Sequence, residues 1–250
     1  MRALATSLPP ARTTIAEWAA FRQFLARPRL PKRTAPLPIG ILAVLRLYLL
    51  DALLMIGIGV IASLVLLTGF EIPQNTLEEL ALTPGWIAVI IIGAPLAEEL
   101  MFRSWLSGRP GHLVAGIAGI AALLGLPILA AAGGTLQLAA LAALVALVVG
   151  AAWSLWRWRE APPLRWFVAA FPLIFWGVAV VFALIHLVNY EAAGGILMLL
   201  PLVVPQFIAG TIFGYARVRY GLWASIALHA LHNGSAVAVM LLAQSALPEG

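Results

Sequence analysis

Residues 86–103 read WIAVIIIGAPLAEELMFR and place two adjacent carboxylates and an arginine inside a strongly hydrophobic segment. The apolar run before the carboxylates is typical of a helix that crosses a membrane. An ionisable side chain there costs about 2.5–3.5 kcal/mol by insertion scales, so it is usually paired or functional. Glu99 and Arg103 are spaced i, i+4 and are expected to form an ion pair on one helix face. Glu98 is rotated by about 100° from Glu99 and is expected to point elsewhere.

The composition of the whole chain is that of a polytopic membrane protein. Of its 250 residues, 63% are hydrophobic and 10% are charged, against about 25% charged in soluble domains. The absence of cysteine excludes disulfides, thiolate metal sites and cysteine nucleophiles. The net charge of +5 lies in an N-terminal arm and in loops, which predicts contact with membrane lipids and not with nucleic acid. Abundant arginine and alanine suggest a bacterial protein, and hence an integral protein of the inner (plasma) membrane.

Seven apolar segments of about bilayer-spanning length predict an all-α membrane helix bundle. The expected spans are 41–69, 86–106, 112–132, 135–156, 166–188, 195–215 and 222–245. Basic residues gather in the loops on one side and acidic residues in the loops on the other, so we expect a cytoplasmic N-terminus and an external C-terminus. The third and fourth spans are rich in small residues and are expected to form a close hairpin over 112–156.

The predicted organisation is a basic cytoplasmic arm at 1–37 and a transmembrane domain at 38–250. Within the arm, Thr14 and Glu17 have the spacing of a capping box, which predicts a short amphipathic helix on the membrane surface; a disordered basic tail is the alternative. In the first span, Asp51 is expected to pair with Arg46 or with another helix.

Three of the four histidines lie in apolar segments. His229 and Asn233 are spaced i, i+4 and share a helix face, while His186 comes from a different span. Together with Glu98 they form the inventory of a buried catalytic or metal site in a helix bundle. Hydrogen bonding between helices and a proton relay in a transporter stay open as alternatives. His232, one turn from His229, is a candidate supporting partner.

Several familiar protease types are excluded by missing residues. Asp51 is the one aspartate in the chain, whereas aspartyl intramembrane proteases need two. The His-Glu-x-x-His zinc motif and the Gly-x-Ser-x-Gly nucleophile motif are both missing from the sequence. Among the protease mechanisms considered, catalysis by glutamate and histidine side chains remains.

Three motifs in order along the chain resemble one family. They are Glu98-Glu99-x-x-x-Arg103, Phe182-x-x-x-His186 and His229-x-x-x-Asn233. This series resembles the CPBP family of CAAX proteases and bacteriocin-processing (Abi) enzymes, which includes the type II CAAX prenyl endopeptidase. The resemblance covers about residues 84–240 and implies an intramembrane endopeptidase. The hairpin at 112–156 is additional to the usual family spacing.

The resemblance also implies roles for individual residues. Glu98 and His186 would activate a water molecule, while His229 and Asn233 would stabilise the oxyanion. Glu99 and Arg103 would orient Glu98 or the substrate. In a zinc-dependent version, Glu98, His186 and His229 would bind the metal and leave one open position. The metal-free mechanism is favoured because the amide of Asn233 is a poor zinc ligand and a good oxyanion donor.

The expected substrate is a membrane-tethered or lipidated peptide or protein, such as a CAAX-type C-terminus, a bacteriocin leader or a C-terminal sorting tail. A proton-coupled transporter and a non-catalytic scaffold are the other hypotheses, and the oligomeric state is open. One difficulty concerns depth, because Glu98 and His186 differ by roughly 10 Å along their predicted spans. Either Pro172 bends its helix, or that helix continues through Asn189-Tyr190.

Overall fold

The computed structural model describes residues 13–31, 33–69, 73, 75, 81–131, 133–190 and 195–246. Throughout these residues the regular structure is helical, apart from one isolated bridge between Asn75 and Tyr190. The predicted all-α class is confirmed. The arm before residue 13, Lys32 and the acidic residues of the predicted outer loops lie outside the described residues; these acidic residues are Glu71, Glu78, Glu79, Glu191 and Glu249.

Ten α-helices in the described chain follow the predicted segments closely. They are α1 (Thr14–Ala26), α2 (Leu37–Leu66), α3 (Pro84–Ala88), α4 (Ala94–Arg103), α5 (Pro110–Ala131), α6 (Gly134–Arg157), α7 (Arg165–Ile185), α8 (Ile196–Leu199), α9 (Val204–Tyr220) and α10 (Leu222–Ala246). A π-helical turn at Val89–Gly93 joins α3 to α4. 3₁₀ turns extend α4 over Ser104–Ser107, extend α7 over His186–Asn189, and join α8 to α9 over Leu200–Val203.

Six helices of the described chain are long and apolar enough to cross a membrane. Helix α5 is represented among the shorter apolar helices by Pro110–Ala122, so the count of seven spans and the orientation of the termini stay predictions. One feature favours an odd number of crossings. Helices α2 and α10 run in the same direction, since Gly40 lies against Trp223 and Asp51 lies against His232.

The chain divides into two compact units, the first comprising Met1–Leu96 and Pro172–Gly250 and the second Ala97–Phe171. In the first unit, α2 begins beside the end of α9, where the Ala35 N–H donates to the Arg219 carbonyl at 2.9 Å. Helix α10 follows α9 directly through Gly221, whose φ of +108° favours glycine. The starts of α2 and α10 and the end of α9 therefore meet at one end of this unit.

Helix α1 forms as predicted, but it packs on protein. Its N-cap is Thr13 and not Thr14, because the Thr13 hydroxyl accepts from the Ala16 N–H at 3.2 Å. Glu17 therefore does not complete a capping box. Its carboxylate is 1% exposed and accepts hydrogen bonds from Tyr215 (3.0 Å) and Tyr220 (2.6 Å) of α9. The amphipathic character predicted for the arm thus serves in part to dock α1 onto α9.

In the second unit, α5 and α6 form the predicted hairpin, with Gly133 as the N-cap of α6. The two helices approach closely at Gly111, where a Cβ would lie 2.7 Å from the Ser154 carbonyl oxygen. Buried Ser154 donates to the Ala151 carbonyl at 2.8 Å and lies 3.3 Å from the Gly111 carbonyl. Small residues permit this contact, as expected for packed membrane helices.

Candidate active site

The histidines of the second and third motifs share one aromatic neighbour in the first unit. The ring of Phe182 lies 4.9 Å from the ring of His186 and 5.9 Å from that of His229, measured between centroids. Phe182 and His186 are i, i+4 at the end of α7, so they share a face. Phe182 is buried. Packing against it brings together two histidines that are 43 positions apart in the sequence.

His186 is held in a defined tautomer. Helix α7 ends at Ile185, and the last four carbonyls of an α-helix lack donors within the helix. One of them, the Phe182 carbonyl, lies 2.7 Å from His186 Nδ1. Because a carbonyl oxygen only accepts, Nδ1 carries the hydrogen, and in the neutral ring Nε2 carries the lone pair. His186 Nε2 is therefore the atom able to act as a base or as a ligand.

The structure also shows where helix α7 ends. Pro172 lies inside α7, and beyond Ile185 the chain tightens into a 3₁₀ turn that extends to Asn189. His186 is thus the first residue of this turn.

His229 is clamped by aromatic rings within the bundle. It is 4% exposed, and its ring stacks on Phe213 of α9 at 4.6 Å with an interplanar angle of 22°. The edge of Phe182 contacts it at 79°. Two buried phenyl rings therefore set the plane of the imidazole.

Asn233, the other residue of the third motif, donates a hydrogen bond to a backbone carbonyl of a neighbouring helix. In the π-helical turn the Ala94 N–H donates to the Val89 carbonyl. In that register, the Ile90 carbonyl would receive the N–H of residue 95, which is a proline and has none. Asn233 Nδ2 donates to the Ile90 carbonyl at 2.8 Å. Its amide also has a second hydrogen and an oxygen that this hydrogen bond does not use.

The first motif lies in the second unit, and its two carboxylates have different environments. Glu99 and Arg103 form the predicted ion pair, and the side chains of both are 0% exposed. Glu98 is half-buried. The predicted pairing of Glu99 with Arg103 on one helix face is confirmed.

The sequence did not identify the partner of Asp51. In the structure, Asp51 Oδ2 lies 2.7 Å from His232 Nδ1 across 181 positions of sequence. The ring of His232 also meets the edge of Phe213 at 5.6 Å. His232 therefore belongs to the aromatic cluster that contains His186 and His229. Helical spacing placed it one turn from His229, but no sequence signal linked it to Asp51.

The first unit thus brings together His186, His229 and His232 around Phe182 and Phe213, while the second pairs Glu99 with Arg103. Within the described ranges, no group of three His, Cys, Asp or Glu side chains is arranged to hold a metal ion.

Comparison with known families agrees with the motif series. A family model described as type II CAAX prenyl endopeptidase Rce1-like matches residues 155–235. This segment contains the second and third motifs and ends before the close of α10; the first motif lies outside it. No curated protein and no solved structure matches the chain. The family match confirms the resemblance to the CAAX proteases over the segment that contains the second and third motifs.

Proposed function

We propose that this integral membrane protein, matched over residues 155–235 by the type II CAAX prenyl endopeptidase model, is an intramembrane endopeptidase. The observation that carries the proposal is the contact of His186 and His229 with one buried ring, Phe182. Two motifs that the resemblance assigns to one active site are neighbours in the first unit. Ordinary hydrogen bonding between helices would not require two imidazoles to pack against the same phenyl ring.

In the proposed reaction, Glu98 and His186 activate a water molecule. The water oxygen attacks the peptide carbonyl carbon, and its proton passes to the Glu98 carboxylate or to His186 Nε2. The hydrogen bond from His186 Nδ1 to the Phe182 carbonyl supports this role, because it leaves the Nε2 lone pair to receive a proton. When the C–N bond breaks, the same proton goes to the leaving amine.

His229 and Asn233 are proposed to donate to the oxyanion. The buried, stacked ring of His229 supports this role, since donors fixed in a water-poor site stabilise developing charge best. Asn233 would use the amide hydrogen that does not bind the Ile90 carbonyl. Glu99 and Arg103 neutralise each other and would hold the helix that presents Glu98.

A zinc-dependent version of the same protease is the second candidate. One observation favours it, because metal-binding histidines commonly donate their other ring N–H to a carbonyl, as His186 does. Metal content of the purified protein, with cleavage measured before and after chelation, distinguishes the two. Our metal-free proposal predicts cleavage that survives removal of all zinc; stoichiometric zinc whose removal abolishes cleavage would overturn it.

The proposed substrate is a peptide or protein tethered to the membrane by a lipid or by its own apolar segment. The family match supports this class. CAAX-type C-termini, bacteriocin leaders and C-terminal sorting tails all belong to it. The proposed location is the inner membrane of a bacterium, which favours leader or tail processing over prenylated substrates.

Cleavage in proteoliposomes tests the proposal. The probes are two quenched fluorescent peptides, one with a farnesylated CAAX-type C-terminus and one with a transmembrane anchor and a C-terminal tail. We expect Glu98→Gln and His186→Gln each to lower cleavage by about 10³-fold, the usual range for a general base. Glu160→Gln is the matched control, since the Glu160 side chain is 87% exposed. Full activity in Glu98→Gln and His186→Gln, or proton flux in place of cleavage, would refute the protease.

A further inference from the structure

Two polar pairs join α2 to α10 one turn apart. The hydroxyls of Tyr48 and Ser235 are hydrogen-bonded, and Asp51 binds His232. Tyr48 and Asp51 are spaced i, i+3, and so are His232 and Ser235, so each helix presents both of its residues on one face. The first pair is neutral, while the second contains an ionisable carboxyl. They form a matched comparison within a single helix–helix contact.

The Asp51 pair is a costly way to join two membrane helices. Asp51 is 1% exposed, and within the described residues its Oδ1 is buried without a hydrogen-bond partner. A hydroxyl pair such as Tyr48 and Ser235 joins the same helices without a carboxyl group. Because ionisable residues inside a membrane are generally retained for function, Asp51 needs a role other than adhesion.

Contacts of His232 connect this carboxyl to the candidate active site. The contact of His232 Nδ1 with Asp51 Oδ2 at 2.7 Å sets the orientation of the His232 ring. The ring then meets Phe213 at 82° and 5.6 Å. The face of Phe213 stacks on His229. Phe213 is therefore held between two imidazoles that are i, i+3 on α10.

We propose that Asp51 and His232 are positioning residues for His229. Asp51 orients the His232 ring, His232 fixes Phe213, and Phe213 sets the plane from which His229 donates. The inference rests on the proposed function of His229 as an oxyanion donor. It adds a residue of the first span, outside all three motifs and outside the matched segment, to the machinery of the reaction.

Three variants separate positioning from simple stability. Asp51→Leu removes the carboxyl, and Asp51→Leu/His232→Phe replaces both partners by apolar groups, which is often nearly neutral for stability. Tyr48→Phe is the control in the same helix–helix contact. We expect kcat to fall about tenfold in the first two, a size typical of coupling through packed neighbours, with KM within about twofold. Tyr48→Phe should keep its kcat. Recovery of kcat together with thermal stability in the double variant would overturn positioning.

A spectroscopic measurement tests the inference without relying on cleavage. The chain has four histidines, so ¹⁵N-histidine labelling in detergent micelles resolves few ring signals. We expect Asp51→Leu to shift the ring nitrogens of both His232 and His229, and Tyr48→Phe to leave those of His229 unchanged. An unshifted His229 in Asp51→Leu refutes positioning, whatever the enzyme does. Wild-type protein that cleaves no faster than Glu98→Gln would instead refute the proposed function and leave this result standing.

Discussion

The first-motif helix and the region formed by α1, α2, α9 and α10 both bury carboxylates, but the partners of these carboxylates differ. Glu99 is paired with Arg103 one turn along its own helix. Asp51 and Glu17 bind partners 181 and about 200 positions away in the sequence. The local pair follows from helical periodicity alone, whereas the distant pairs exist only when the helices pack. The local pair can therefore be predicted from the sequence, whereas the distant pairs cannot.

Removing the arginine from the local pair should have the largest effect on stability. We expect Arg103→Leu to lower the free energy of unfolding by about 3–5 kcal/mol, because it leaves Glu99 buried with its ion-pair partner removed. Thermal unfolding in detergent measures this. The control is Arg159→Leu, which breaks an ion pair whose Arg159 side chain is 62% exposed and which should cost less than about 1 kcal/mol. Equal losses in the two variants would contradict the comparison.

The second-largest loss of stability should come from removing one ring of the aromatic cluster. Phe182→Ala removes the ring shared by His186 and His229, and we expect a loss of about 3 kcal/mol from the cavity together with a loss of cleavage. Leu173→Ala on the same helix is the control, since Leu173 is 76% exposed. Cleavage at the wild-type rate in a folded Phe182→Ala protein would show that the shared ring has no part in activity.

The hydrogen bond from Asn233 offers a test by compensation. Asn233→Ala should cost about 2 kcal/mol, because the Ile90 carbonyl loses its donor. Adding Pro95→Ala restores a backbone N–H and allows the π-turn to return to an α-helix. We expect the double variant to regain stability in a thermal melt but not cleavage, since the proposed oxyanion donor stays absent. A double variant no more stable than Asn233→Ala would contradict this account of the π-turn.

The smallest effect should come from the docking of α1. Tyr220→Phe removes one hydrogen bond to Glu17, and we expect a loss of about 1 kcal/mol, measured as a shift in the melting temperature. Ile15→Ala on the exposed side of the same helix should change stability by less than about half of that. If Ile15→Ala is the more harmful change, α1 is held by lipid and not by α9.

Much of the fold could be predicted because a bilayer restricts the alternatives. A backbone in hydrocarbon must satisfy its own hydrogen bonds, so apolar segments near 20 residues long predict helices, and their bounds agree with the structure within a few residues. The predicted N-cap of α1 differs from the observed one by a single residue, because Thr13 and Thr14 are both good N-cap residues. The π-turn before Pro95 was not predicted, because the Ile90 carbonyl receives its hydrogen bond from Asn233, which lies far along the chain.

The sequence by itself determined the helices, the Glu99–Arg103 pair and the three motifs, because each depends on spacing within one helix. Only the tertiary structure decided which side chains from different helices meet. It placed His186 and His229 against Phe182, joined Asp51 to His232, and gave Asn233 a backbone carbonyl to bind. The physical reason is that helical periodicity fixes the direction of a side chain on its own helix, while contacts between helices depend on the packing of the whole bundle.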